Sequence, residues 1–173
     1  MDNYRFYSFV AGLYLSPLQC GLQTAHAVSE MYAHHVSYSG PMAKRMKVFD
    51  EWAQSNKTII ILNALNSKGV IDVHLALRPF APMYDLPLVI FNEDEQSLNG
   101  AATACGIVLP KKYYDVVLEK PDPEATPGSP ASMPAWVHTE LDPDNQQPIS
   151  TTTYYEGQPE FELINIIKGY RLV

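Results

Sequence analysis

The sequence predicts an α/β fold: a four-stranded mixed sheet flanked by helices, with a proline-rich acidic C-terminal extension that ends in β structure. Three observations predict it. β-branched and aromatic runs alternate with amphipathic segments, the last such run follows closely on the one before it, and the composition changes abruptly after Leu118. Residues 1–118 are therefore expected to form the α/β domain, and 119–173 a proline-rich linker with a β-rich end.

The run RFYSFVAGLYL, Arg5 to Leu15, is aromatic, apolar and free of turn residues, as a strand buried in a sheet would be. Ser16-Pro17 then supplies an N-cap residue and a proline at the first helical position. The helix that follows places Leu22, Ala25, Ser29 and Tyr32 on one side and Gln19, Gln23, His26 and Glu30 on another. Ser39-Gly40-Pro41 signals a second helix, along which Met42, Met46, Phe49 and Ala53 recur at three- and four-residue steps. TIIIL, Thr58 to Leu62, is continuous and β-branched, the pattern of a strand covered on both faces. Residues 67–78 fit either period, because Ile71, Val73, Leu75 and Leu77 alternate while Val70, His74 and Leu77 are spaced for a helix. LPLVIF, Leu86 to Phe91, and Thr103 to Leu109 supply the third and fourth strands, joined by the acidic segment NEDEQSLNG.

Beyond Leu118, EKPDPEATPGSPASMPAW holds five of the fourteen prolines, and is expected to be extended. The closing segments ISTTTYYEG and FELINIIKGYRLV read as strands, since Phe161, Leu163, Asn165 and Ile167 alternate with their neighbours. Such a terminal strand would form a hairpin, add to the sheet edge, or pair with a second copy to make a homodimer.

With 46% hydrophobic and 18% charged residues in 173, the chain has enough apolar material for a core. No apolar run is long enough to span a bilayer, so no membrane partner is expected. The N-terminal stretch carries Asp2 and no basic segment before its apolar run, which points away from a secretory signal and toward the cytoplasm. Cys20 and Cys105 are expected as two small half-buried thiols rather than a disulfide framework. Residues 1–112 contain nine Lys or Arg against nine Asp or Glu, and the rest three against ten, so the whole net charge of −7 lies in the last third. No Lys or Arg occurs between Arg5 and Lys44, which leaves little grip on phosphate there.

The helix face of Gln19, Gln23, His26 and Glu30 follows the first strand, at the sheet edge where ligands of open α/β folds settle. Cys20 and His26 are about 600° apart around the helix and do not form a nucleophile pair. His26, His34 and His35 diverge along it, so no metal site is expected.

Gln23-Thr24-Ala25-His26-Ala27 resembles the Gln-x-Ala-His-Ala signature of the type 2 peptidyl-tRNA hydrolases. Trp52 to Lys57 ahead of TIIIL resembles that family's tryptophan and lysine before its second strand, and Asn99-Gly100-Ala101-Ala102-Thr103 ahead of CGIVLP resembles its Gly-Thr-x-Thr loop. The likeness spans about residues 5–112. It implies a helix at 67–78 and hydrolysis of the ester between a peptidyl or aminoacyl group and tRNA, with no cofactor or metal. The implied catalytic residues are His26, Asp94 and Thr103, with Gln19, Gln23, Lys57, Glu93, Asn99 and Gly100 binding substrate. Three positions depart from the pattern. Gln19 stands where the family has a lysine, FNEDEQ replaces Asp-Ala-Gly-Arg-Thr after the third strand, and Ala101 takes the place of the first loop threonine. These departures support an alternative, a catalytically inactive module on the same scaffold that binds a protein or a small molecule.

Overall fold

A computed structural model describes residues 3–12, 15–36 and 42–173. The chain divides into two units, residues 1–110 with 169–173, and residues 111–168.

The first unit is a mixed sheet between helical layers. Its elements are β1 (Tyr4–Val10), α1 (Pro17–Val36), α2 (Met42–Glu51), β2 (Ile59–Asn63), α3 (Ser67–Leu77), α4 (Phe80–Met83), β3 (Leu88–Asn92), α5 (Glu95–Leu98) and β4 (Ala102–Pro110). Residues 13 and 14 of the expected first strand, and the Ser39-Gly40-Pro41 signal, lie outside the described residues. The sheet has five strands rather than four: with β8 (Arg171–Leu172) the order is β3-β4-β1-β2-β8. The fifth, β8, runs antiparallel to β2, with Leu62 opposite Leu172. Two residues carry no readable periodicity, so pairing with a distant edge is what makes them a strand.

β1 is central, parallel to β2 and antiparallel to β4, and its side chains alternate between two buried faces. Phe6 and Val10 join Cys20, Ala27, Met31, Phe49 and Trp52 in the core beneath α1 and α2. Tyr7 and Phe9 are fully buried on the opposite face, where α3 contributes Val70, Val73 and Leu77. Burying a ring of this size stabilises the fold by roughly 2–3 kcal/mol, so β1 alone accounts for much of the core. Gly106 in β4 is required by this packing, because a Cβ there would overlap the Phe6 ring.

α1 buries a different face from the one its apolar residues suggest. Leu22 and Tyr32 are 54% and 58% exposed, while Cys20, Gln23, Thr24, Ala27 and Met31 face the sheet. Cys20 and Cys105 are fully buried free thiols rather than half-buried ones. α2 runs into one π-helical turn, Trp52–Asn56, closed by a bond from Lys57 N–H to Trp52 O at 2.8 Å.

The second unit carries the antiparallel sheet β5 (Val117–Glu119), β6 (Ala135–Leu141) and β7 (Pro148–Tyr155), followed by α6 (Pro159–Lys168). The expected strand at 161–167 is thus a helix. Pro159 begins it, Glu160 and Glu162 lie in its first turn and Lys168 in its last, all favourable to the helix dipole. Phe161, Ile164 and Ile167 recur at helical spacing, and this burial wins over the alternation. The proline-rich stretch is ordered in part as β6 and a 3-10 turn at Pro130–Ser132. Among the described residues no helix is long and apolar enough to cross a membrane.

Candidate functional site

At one end of β4 the register with β3 steps from Phe91–Ala104 to Asn92–Ala102, leaving Thr103 as the extra residue of a bulge. A bulge re-aims a side chain that strict alternation would send to the other face. The Thr103 hydroxyl consequently donates to Gln23 Oε1 at 2.7 Å. The other end of the same amide, Gln23 Nε2, donates to Glu93 Oε1 at 2.6 Å. One side chain from α1 thus links the start of β4 to the residue just after β3. Thr103 and Gln23 are 4% and 8% exposed, whereas Glu93 is half-buried and reaches the surface. Both Gln23 amide atoms are satisfied, so the carboxylate is held in one place with acceptor capacity to spare.

The helix that presents Gln23 is itself pinned. Thr24 Oγ1 donates to Ser8 Oγ at 2.8 Å, a hydroxyl pair buried between α1 and β1. The exposed His26 ring stacks on Phe91 of β3, with centroids 4.7 Å apart and planes within 7°. His26 and Gln23 are one turn apart on α1, and Glu93 follows Phe91 by two residues, just past the end of β3. An imidazole and a carboxylate therefore share one rim of the sheet.

The remaining expected residues have other places. Gln19 closes the N-terminus of α1: Ser16 N–H donates to its Oε1 at 2.8 Å, and Gln19 N–H donates to Ser16 Oγ at 3.3 Å. This reciprocal capping box uses the group that the resemblance assigned to substrate. Asp94 caps α5, accepting from Ser97 N–H at 2.6 Å and from Ser97 Oγ at 3.0 Å. Those bonds hold its carboxyl below the usual range. Asn99 and Gly100 are both left-handed, with φ of 52° and 68°, and close the loop in which Glu93 N–H bonds Ala101 O at 3.0 Å. Lys57 is also left-handed, with φ of 52°, and lines a groove of about 550 Å³ beside Phe49 and Trp52. The structure thus unites Gln23, Glu93 and Thr103, sets His26 on the same rim, and gives Gln19 and Asp94 capping duties.

Ser8, Thr24 and Phe91 were not singled out by the sequence. A serine inside the apolar run RFYSFV is a signal that could have found the hydroxyl pair. The stacking of His26 on Phe91 depends on α1 packing against β3, a strand distant in sequence, and left no local trace. Among the described residues no three His, Cys, Asp or Glu side chains group as metal ligands. No protein-family model matches the sequence, and no curated protein matches it significantly.

Proposed function

We propose that the protein is a divergent peptidyl-tRNA hydrolase-like enzyme that cleaves the ester between a peptidyl or aminoacyl group and tRNA, with Glu93 as the general base. The observation that carries this reading is the Thr103–Gln23–Glu93 chain, which fixes a surface-reaching carboxylate beside His26. A carboxylate held through one oxygen keeps the other for a water proton. Water adds to the ester carbonyl carbon and gives its proton to Glu93. The tetrahedral intermediate then collapses, the bond to the ribose oxygen breaks, and His26 relays the proton taken up by Glu93 to the leaving hydroxyl. Gln23 positions the base, and Thr103 orients Gln23. Glu93 takes the role that the sequence resemblance gave to Asp94, whose oxygens are bonded to Ser97.

In this reading tRNA is the partner and the cytoplasm the compartment. A homodimer would form along β3, the outer strand of the sheet order, and sedimentation would register it.

The test is release of peptide from N-acetyl-aminoacyl-tRNA by wild type, Glu93→Gln and His26→Ala, each checked for folding by circular dichroism. Glu93→Gln still accepts from Gln23, so the fold should be retained while turnover falls by roughly 100-fold or more. Full activity in Glu93→Gln would remove the proposed base. No turnover in wild type, where an established hydrolase works, would favour the second reading, a binding module. The engagement of Gln19 in the helix cap, and the absence of Lys or Arg between Arg5 and Lys44, support that second reading.

A further inference from the structure

We propose that the groove beside Lys57 binds a monoanionic aromatic carboxylate, at a place separate from the Gln23–Glu93–Thr103 chain. The groove measures about 550 Å³, within the roughly 300–1,000 Å³ typical of small-molecule sites. Phe49 and Trp52 line it, 4% and 5% exposed, and Tyr32 and Ile59 remain 58% and 42% exposed along the same lining. The exposed Tyr32 ring, with a floor formed by the buried edges of Phe49 and Trp52, suits a flat ring better than a flexible alkyl chain.

Backbone geometry marks the same place a second time. The π-helical turn Trp52–Asn56 and the left-handed Lys57 that follows it are both disfavoured conformations, and such features gather where a ligand is held. An asparagine adopts the left-handed region more readily than a lysine, yet Asn56 precedes the position and Lys57 occupies it. The lysine is exposed and forms no ion pair with the described residues, while nearby Glu51 faces Lys47 at 3.9 Å. An ammonium group at an apolar groove recognises a carboxylate. Asp50 lies on the same lining and limits the ligand to a single negative charge, since a second would be repelled.

The site does not rest on the hydrolase reading. Val28, Ser29 and Tyr32 of α1 line the groove, about 140°, 120° and 180° around the helix from Gln23. The test is calorimetric titration of the full chain with 2-naphthylacetate, its neutral amide 2-naphthylacetamide, and decanoate. Variants Lys57→Gly and Ser29→Trp are tested alongside wild type. Glycine suits the positive φ, and Ser29 is an exposed position, so both variants are expected to fold. Wild type should bind 2-naphthylacetate about tenfold more tightly than the amide, as a charge-assisted hydrogen bond implies. Lys57→Gly should erase that difference, and Ser29→Trp should block both ligands. Several outcomes would overturn the proposal: no saturation at millimolar ligand, equal affinity for acid and amide in wild type, or tighter binding of decanoate. Self-association of wild type that Ser29→Trp abolishes would identify the occupant as a second copy and overturn it too.

Discussion

Gln23 uses both ends of its amide, so each partner's loss has a distinct expected cost. Thr103→Val keeps the shape but leaves Gln23 Oε1 without its donor in a buried setting, which should lower stability by about 1–3 kcal/mol. For a chain of this length that corresponds to a fall in melting temperature of roughly 2–4 °C per kcal/mol. Thr103→Ser retains the hydroxyl and should recover most of the loss; equal melting of the Val and Ser variants would remove the bond from the account. Gly106→Ala belongs to the same scale, because the added Cβ meets the Phe6 ring and overpacking costs about 1–3 kcal/mol, read by urea titration. The role of Gln23 was only half legible in the sequence. Its spacing with His26 placed it on a polar helix face, but the bulge that turns Thr103 toward it arises where two strands go out of register. That register is set by pairing between β3 and β4, which no local pattern encodes.

At the scale of elements, legibility followed the number of independent signals. α2, TIIIL and the strand at 103–109 each carried one unopposed signal and appear where it placed them, but TIIIL is not covered on both faces, since Ile59 is 42% exposed and only Leu62 of the run is buried. α6 had two competing periods in the same apolar residues, and the proline at its first position was the deciding clue. α1 was placed correctly but turned wrongly, because its buried face is built from Cys20, Gln23, Thr24 and Ala27, small or polar residues that scarcely register as apolar. Local chemistry at its start adds to the packing and buried hydrogen bonds that hold that helix. Ser16→Ala removes one half of the capping box and should cost about 1 kcal/mol, seen as a lowered urea midpoint with unchanged slope. Lys57→Gly tests the π-turn in the opposite direction. Relief of the left-handed side-chain penalty should stabilise the first unit by about 1 kcal/mol, and a loss of stability would show that the lysine side chain supports the turn.

At the scale of the whole molecule, proton linkage distinguishes the two units. Burial pushes the Cys105 thiol up, and burial together with Asp72 and Cys105 pushes the Tyr170 hydroxyl up, both in the first unit. In the second unit burial, then Glu160, raises Tyr154, whose hydroxyl is buried without a hydrogen-bond partner among the described residues. The folded chain keeps these protons after the unfolded chain has released its own. Their stabilisation is therefore intact below about pH 8.5, where an unfolded thiol titrates, and falls as pH climbs through 10 and beyond. His74 acts with the opposite sense, since burial and Arg78 lower its affinity for a proton. Its contribution is present above about pH 6.5 and fades as pH falls through the lowered folded value. Each unit holds one tryptophan, Trp52 in the first and Trp136 in the second, so fluorescence of Trp52→Phe and Trp136→Phe variants reports the units separately. Between pH 6.5 and 5 the unit seen by Trp52 should lose the His74 contribution, and His74→Gln should flatten that loss. Above pH 9 both units should weaken. Tyr154→Phe should raise the stability seen by Trp136 by about 1 kcal/mol at neutral pH, because it removes an unpaired buried hydroxyl, and should also reduce the alkaline slope. If the slope at Trp136 survives the phenylalanine unchanged, the alkaline weakening of the second unit has a source other than Tyr154.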